Sequence, residues 1–331
     1  MILDGNKDKF IRLIDDSKFN GQNKMYLEHF GMTEYPFALT PNTQFYCDLP
    51  GHQAALNVLL FSLQTGEGFI KIIGEVGSGK TLLCRQLLKI LSDEFVTAYI
   101  PNPDLPPNEF RKTLAHELGV SFAHVSSLSD LSQAILERLL ALHQQGKQVV
   151  LLVDEAQVLP DETLETIRLL TNLETESKKL IQIVLLGQPE LNSRLEKHQF
   201  RQLNQRITFS HHLRPLTRTS LDDYLQYRLS KAGYTGKNIF NDRACDLIFE
   251  CSGGIPRIIN ILSHKSLLTA FGKGKYEVNK KFVKAAAHDS QDIIEKKYRK
   301  IQWILNSVTI ALLCVLIGMT GYLILVKHLI V

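Results

Sequence analysis

One stretch constrains this chain more than any other: IIGEVGSGKTLL, residues 72–83, where a short apolar run breaks into a glycine loop and resumes as a helix-forming segment. The pattern G-x-x-x-x-G-K-[ST] is met by Gly74, Gly79, Lys80 and Thr81. Glycines let successive backbone N–H groups curl around phosphates, the lysine brings a charge to them, and the threonine hydroxyl suits Mg2+. A helix opening at Thr81 points the positive end of its dipole at the same anion. Such a loop works only between a buried strand and a helix. The residues expected to hold the nucleotide are Gly74, Glu75, Val76, Gly77, Ser78, Gly79, Lys80, Thr81 and Leu82.

The flanking pattern agrees. GFIKIIG, FVTAYIP, QVVLLVDEAQ, KLIQIVLLGQPE and RITFSHHL read as strands, and amphipathic segments such as GHQAALNVLLFSLQTGEG and LSDLSQAILERLLALHQQGK separate them as helices. Strands alternating with helices predict a parallel α/β sheet covered on both faces. After Pro215 the strands stop, and four helical segments follow: SLDDYLQYRLSKAGY, NDRACDLIFECSGG, IPRIINILSHKSLLTAFGKG and EVNKKFVKAAAHDS. The expected organisation is a polar extension over 1–24, an α/β nucleotide-binding domain over 25–215 and a helical domain over 216–290. Met25, where the patterned part begins, is a candidate start.

A second chemical element ends the strand VVLLVDEAQ. Asp154 sits where strand meets loop, the place for a carboxylate that holds the shell of a magnesium ion together with Thr81. Glu155 follows it and is positioned to act as general base toward an attacking water. Together with Lys80, these acids predict an enzyme that binds and hydrolyses ATP with Mg2+.

Composition narrows the class further. Across 331 residues, 44% are hydrophobic and 22% charged, ordinary for a globular chain. The formal net charge of +4 comes without a long Lys/Arg stripe, which argues against nucleic acid as the main partner. Five cysteines, Cys47, Cys84, Cys245, Cys251 and Cys314, are scattered without a C-x-x-C. They suit a reduced compartment rather than a disulfide framework or zinc site.

Taken in order, GEVGSGKT, LLVDEAQ, VLLGQPEL, LRQLNQRI and GGIPRIIN resemble the AAA+ ATPases of the general secretion pathway protein A (ExeA) group, which includes the MshM proteins of mannose-sensitive haemagglutinin (MSHA) pilus biogenesis. The opening MYLEHFGMTEYPFALTPNTQFY is similar too, so the resemblance covers residues 25 to about 290. It implies a P-loop NTPase of the AAA+ type with a C-terminal helical lid. It also implies roles: Gln188 as the sensor-1 residue near the γ-phosphate, and Arg257 as sensor 2 reaching from the lid. Arg206, with Arg201 second, is the implied arginine finger acting on a neighbouring subunit, hence a homo-oligomer. His52 and Tyr46 fall in the segment that lines adenine in such folds.

From Trp303 to Val326 no charged side chain occurs. A run longer than about 20 apolar residues predicts one transmembrane helix over 303–326, preceded by a basic juxtamembrane segment over 291–302 and followed by a short tail over 327–331. Lys296, Lys297, Arg299 and Lys300 keep the ATPase side of the span in the cytoplasm, and the resemblance implies a bacterial inner membrane. Ser307, Ala311, Cys314, Gly318 and Gly321 would share a face of that helix, suited to a partner helix. Family members of the secretion type often carry a periplasmic peptidoglycan-binding domain after the span. The short pilus-assembly type is therefore the nearer match.

The leading expectation is a membrane-anchored ATPase supporting assembly of a type IV pilus or type II secretion apparatus. Two alternatives stay open. One is a DNA-dependent ATPase of the transposition-helper kind, for which Lys178, Lys179 and Lys231 speak. The other is a nucleotide-gated scaffold with little turnover.

Overall fold

In the computed structural model, which describes residues 25–40, 42–66, 68–121, 127–176 and 178–290, the apolar runs form a five-stranded parallel sheet. Its strands are β1 (Phe69–Gly74), β2 (Phe95–Ile100), β3 (Gln148–Val153), β4 (Gln182–Gly187) and β5 (Phe209–Leu213), in spatial order β2-β3-β4-β1-β5. The inner strands FIKIIG, QVVLLV and QIVLLG are nearly continuous apolar runs because both of their faces are buried. The outer strands FVTAYI and FSHHL are more polar and only partly covered.

Eleven labelled helices follow in chain order: α1 (Pro50–Gln64), α2 (Lys80–Ile90), α3 (Pro107–Glu117), α4 (Leu128–Gln144), α5 (Asp161–Leu170), α6 (Glu190–Leu195), α7 (Arg201–Asn204), α8 (Arg218–Lys231), α9 (Asp242–Ser252), α10 (Pro256–Phe271) and α11 (Lys280–His288). Alternation along β1 sends Phe69 and Ile73 to one face of the sheet and Ile70 and Ile72 to the other. The first face packs on α3 to α7 through Phe110, Leu131, Ile135, Leu164 and Leu191. The second packs on α1 and α2 through Leu59, Leu63, Leu83 and Leu87.

A separate apolar cluster holds α8 to α11 together, built on Leu221, Leu225, Ile248, Ile259, Leu262 and Val283. Tyr26, Phe30, Met32 and Phe37 pack into this helical cluster rather than onto the sheet. The segment that enters α1 is therefore carried by the lid.

Among the described residues, no helix is long and apolar enough to cross a membrane. This overturns two expectations: the transmembrane helix as part of the fold class, and the single-pass inner-membrane placement. The longest described helix shows why. α4 has 17 residues, roughly 25 Å of helix against a bilayer core of about 30 Å, and Asp130, Glu137 and Arg138 interrupt it. The segments 1–24, 291–302, 303–326 and 327–331 of the sequence analysis, with the small-residue face from Ser307 to Gly321, lie outside the described residues.

Candidate nucleotide site

The adjacent strands β3, β4 and β1 deliver the chemistry-bearing residues, each from its carboxyl end. That is where open parallel sheets place their ligand crevices. After β1 the chain turns through the glycine loop into α2. Gly77 has φ +78° and Gly79 φ +101°, left-handed values that a side chain resists. Space forbids one as well. A Cβ on Gly79 would lie 2.7 Å from His52 Nε2, and one on Gly77 2.4 Å from Arg257 Cβ.

Lys80, only 4% exposed, turns back over the loop and donates to the carbonyls of Gly74 at 2.8 Å and Glu75 at 3.2 Å. Burial lowers its pKa, opposed by the carboxylates of Glu155, Asp154, Glu75 and Glu190 around it. Thr81 Oγ1 donates to Asp154 Oδ2 at 2.6 Å, bringing together residues 73 positions apart in sequence. Asp154 is 2% exposed, and burial pushes its carboxyl pKa up, while the Thr81 hydroxyl and the Glu155 N–H pull it down. An acidic oxygen and a hydroxyl in contact at the loop are the donors a hard divalent cation prefers, and Ser78 Oγ, buried in the same loop, has no hydrogen-bond partner.

Glu155 has φ +50° and ψ +37°, and is the single non-glycine residue at positive φ among those described. Its Oε2 accepts from Gln157 Nε2 at 2.6 Å and from Gln188 Nε2 at 3.0 Å. Burial alone would raise this carboxyl, but the two amides and Lys80 hold it below its ordinary range. Gln188, the first residue after β4, is thus drawn onto the acid that follows β3.

The lid closes the cleft. Arg257, near the start of α10, donates its N–H to the Gly77 carbonyl at 3.2 Å and lines the cleft beside Lys80, Thr81 and Leu82. A cavity of about 290 Å³ lies between the loop, the lid residues Tyr224, Arg228, Arg257 and Asn260, and a strap formed by Ala38, Leu39, Thr40 and Asn42.

One expected placement is corrected here. His52 and Tyr46 are not among the residues lining the cavity. His52 is buried beneath the loop, with Nε2 3.0 Å from the Ser78 carbonyl, and Tyr46 packs edge-on against it. The strap residues line the cavity instead. Arg206 and Arg201, whose expected role was on a neighbouring subunit's nucleotide, lie away from this cleft. Arg206 Nη1 donates to Thr171 Oγ1 at 2.6 Å, and Arg206 precedes β5, whose Phe209 pairs with Ile70 near the amino end of β1. Arg201 is exposed at the start of α7.

Sequence reasoning missed Arg228 and Gln157. Arg228 is 6% exposed and lies in the buried stripe of α8, donating Nε to the Pro36 carbonyl at 2.6 Å and Nη2 to the Ala38 carbonyl at 3.3 Å. Its one sequence signal is a position four residues after Tyr224, on the apolar face beside Leu225 and Leu229. The signal for Gln157 is its place two residues after Glu155, from which its amide reaches the carboxylate.

The comparisons with known proteins agree with this architecture. The AAA domain family matches residues 63–195. General secretion pathway protein A of Aeromonas hydrophila is 41% identical over 269 residues, which is 81% of this chain and 49% of that protein. Over most of its length the chain is thus similar to the AAA+ ATPase general secretion pathway protein A. It spans about half the length of that curated relative.

Solved structures place the AAA+ fold over most of the chain. The ORC1 protein of Aeropyrum pernix, in complex with DNA, superposes with a TM-score of 0.57 at 19% identity, over 77% of this chain and 69% of its own. The ORC2 protein of the same organism, in ADPNP–ADP complexes, gives 0.54 at 19% identity over 76% and 72%. A Walker-type ATPase of Pyrococcus abyssi gives 0.54 at 15% identity over 81% and 79%. Likeness at these identities establishes the P-loop fold of this AAA+ chain.

Proposed function

We propose that this AAA+ chain binds ATP and hydrolyses it to ADP and phosphate, and that turnover drives assembly of a secretion or pilus apparatus. The observation that carries the reading is the contact of Thr81 Oγ1 with Asp154 Oδ2 at 2.6 Å beside Lys80. It unites the hydroxyl, carboxylate and ammonium that triphosphate chemistry requires. Thr81 and Asp154 would hold Mg2+, which when bound neutralises charge on the phosphates.

The chain's own residues divide the work. Loop N–H groups and Lys80 bind the phosphates, and Arg257 adds a charge from the lid. Glu155 accepts a proton from the attacking water as its oxygen forms a bond to the γ-phosphorus and ADP leaves. Gln188, bonded to Glu155 Oε2, orients that acid. Arg206 or Arg201, away from their own cleft, are free to act on the nucleotide of a neighbouring copy, which makes a homo-oligomer the working state.

The secretion or pilus role rests on kinship with general secretion pathway protein A, together with the resemblance of the motifs to that group. The test uses labelled ATP with magnesium. Lys80→Ala should lose retention of the nucleotide, whereas Glu155→Gln should retain it and turn over at least about 100-fold more slowly, the scale of a positioned general base. Wild-type turnover in Glu155→Gln would remove Glu155 from the reaction, and undiminished retention by Lys80→Ala would remove the phosphate loop from it.

A further inference from the structure

Glu155 carries an unusual burden for a residue asked to meet a water in one orientation. Its backbone is in the left-handed region, which strains a residue with a Cβ. It stands before a single 3-10 turn, Ala156–Val158, and its side chain does not cap that turn. The carboxylate must therefore be aimed by its neighbours.

Gln157 is built to do so. Its amide stands between two groups that each permit only one orientation: the Gln188 N–H, which can only donate, and the Glu155 carboxylate, which accepts. Gln157 Oε1 takes the Gln188 N–H at 3.0 Å and Nε2 donates to Glu155 Oε2 at 2.6 Å, so the amide cannot flip without breaking both bonds. Its backbone is anchored as well. The Gln157 carbonyl accepts from Arg194 Nη1 at 2.7 Å, and Arg194 pairs with Asp161 of α5. Gln188 Nε2 completes the arrangement at 3.0 Å from the same Oε2. Both amides converge on one carboxylate oxygen, which fixes the plane of the group and leaves Oε1 to meet the water. The first bond belongs to Gln157.

We propose that Gln157 is a positioning residue for hydrolysis, an amide wedged between the Gln188 backbone and the Glu155 carboxylate that holds Glu155 Oε1 toward the attacking water. The inference rests on Glu155 being the general base. Gln157 is not among the residues lining the cleft, so its loss reduces the rate and leaves binding alone. Misplacing a reacting group by about 1 Å costs on the order of 100-fold.

The test is a cycle of Gln157→Leu, Glu155→Gln and the double variant. Single-turnover hydrolysis of labelled ATP is read alongside nucleotide retention and thermal midpoint. Gln157→Leu preserves the side chain's bulk and removes its donor. The expected result is a rate lower by about 10- to 100-fold, with retention within about twofold of wild type. In the Glu155→Gln background the same change should cost nothing further, because its target is already gone.

A normal rate in Gln157→Leu overturns the proposal. So does a rate loss matched by an equal loss of retention and thermal midpoint, or a loss that adds fully to that of Glu155→Gln. Failure of the underlying reading looks different, since Glu155→Gln alone would then hydrolyse like wild type. Gln157→Glu, which keeps the length but cannot donate, should fall with Gln157→Leu. A wild-type rate in that variant would also refute the assignment.

Discussion

Replacing Gly77 with alanine tests how the phosphate loop and lid are fitted together, and a second glycine supplies the control. Gly146 has φ +74°, close to the +78° of Gly77, but nothing lies within 4 Å of where its Cβ would sit. Gly146→Ala therefore isolates backbone strain, about 1–2 kcal/mol for a left-handed alanine. Gly77→Ala adds a collision, because its Cβ would stand 2.4 Å from Arg257 Cβ. That neighbour is the first side-chain atom of a residue fixed in a helix, so it cannot swing aside. Either the core near the loop is overpacked, at about 1–3 kcal/mol, or the lid retreats and loses the Arg257 N–H bond to the Gly77 carbonyl, at about 1 kcal/mol. With about 2–4 °C per kcal/mol for a body of this size, Gly146→Ala should lower the thermal midpoint by about 4 °C and Gly77→Ala by about 8–12 °C. The assay is a melting curve without nucleotide, followed by labelled-ATP retention. Equal midpoints for the two variants would refute the idea that loop and lid are in contact at Gly77, and undiminished ATP retention by Gly77→Ala would deny that the contact shapes the cleft.

Arg228→Met keeps the aliphatic stem but removes the donors to the Pro36 and Ala38 carbonyls. The Pro36 carbonyl is buried, and leaving it unpaired costs about 1–3 kcal/mol, so the change should destabilise the protein by about 2 kcal/mol in urea titration and weaken ATP retention through the strap. Acid should also unsettle the loop through His52, whose pKa burial lowers against the opposing pull of the Ser78 carbonyl and Asp48. The folded state binds the proton less readily than the unfolded chain. This stability is therefore present above the unfolded pKa of about 6.5 and is lost as pH falls below it. His52→Gln preserves a donor near the Nε2 position and does not titrate, so its thermal midpoint should fall less than that of wild type between pH 7.5 and 5.5, values chosen to straddle the unfolded pKa. An identical slope would show that His52 is not the sensitive group.

The parallel sheet was readable because its physics is local. A strand buried on both faces is a continuous apolar run, so FIKIIG, QVVLLV and QIVLLG announce themselves, and the glycine loop fixes where the first of them ends. Asp154 and Glu155 were readable for the same reason, as acids at the end of such a run. What the sequence hid depends on contacts distant along the chain. Arg228 reaches back 190 and 192 positions to Ala38 and Pro36, and its place on the apolar face of α8 does not reveal those partners. The short α6 and α7 leave too few turns for a periodic signal. His52 was expected at the adenine because the family resemblance places its segment there. The structure instead uses it to support Gly79, where the missing Cβ leaves room for its ring.

The cleft joins elements that are held with unequal strength. The strap is tied to the lid by a buried guanidinium that bonds two carbonyls and the Tyr224 hydroxyl and lies over the Phe45 ring at 5.0 Å. The phosphate loop meets the lid through one backbone hydrogen bond of 3.2 Å and the bare Cα of Gly77. Any movement of the lid therefore carries the strap with it, and the contact it loosens first is the one at Gly77. Glu155 belongs to the other side of that boundary. Its amide partners Gln157 and Gln188 are anchored to α6 and β4, within the sheet body. The arrangement separates the two tasks of the proposed reaction, since gripping the nucleotide depends on where the lid stands, whereas aiming the hydrolytic acid does not.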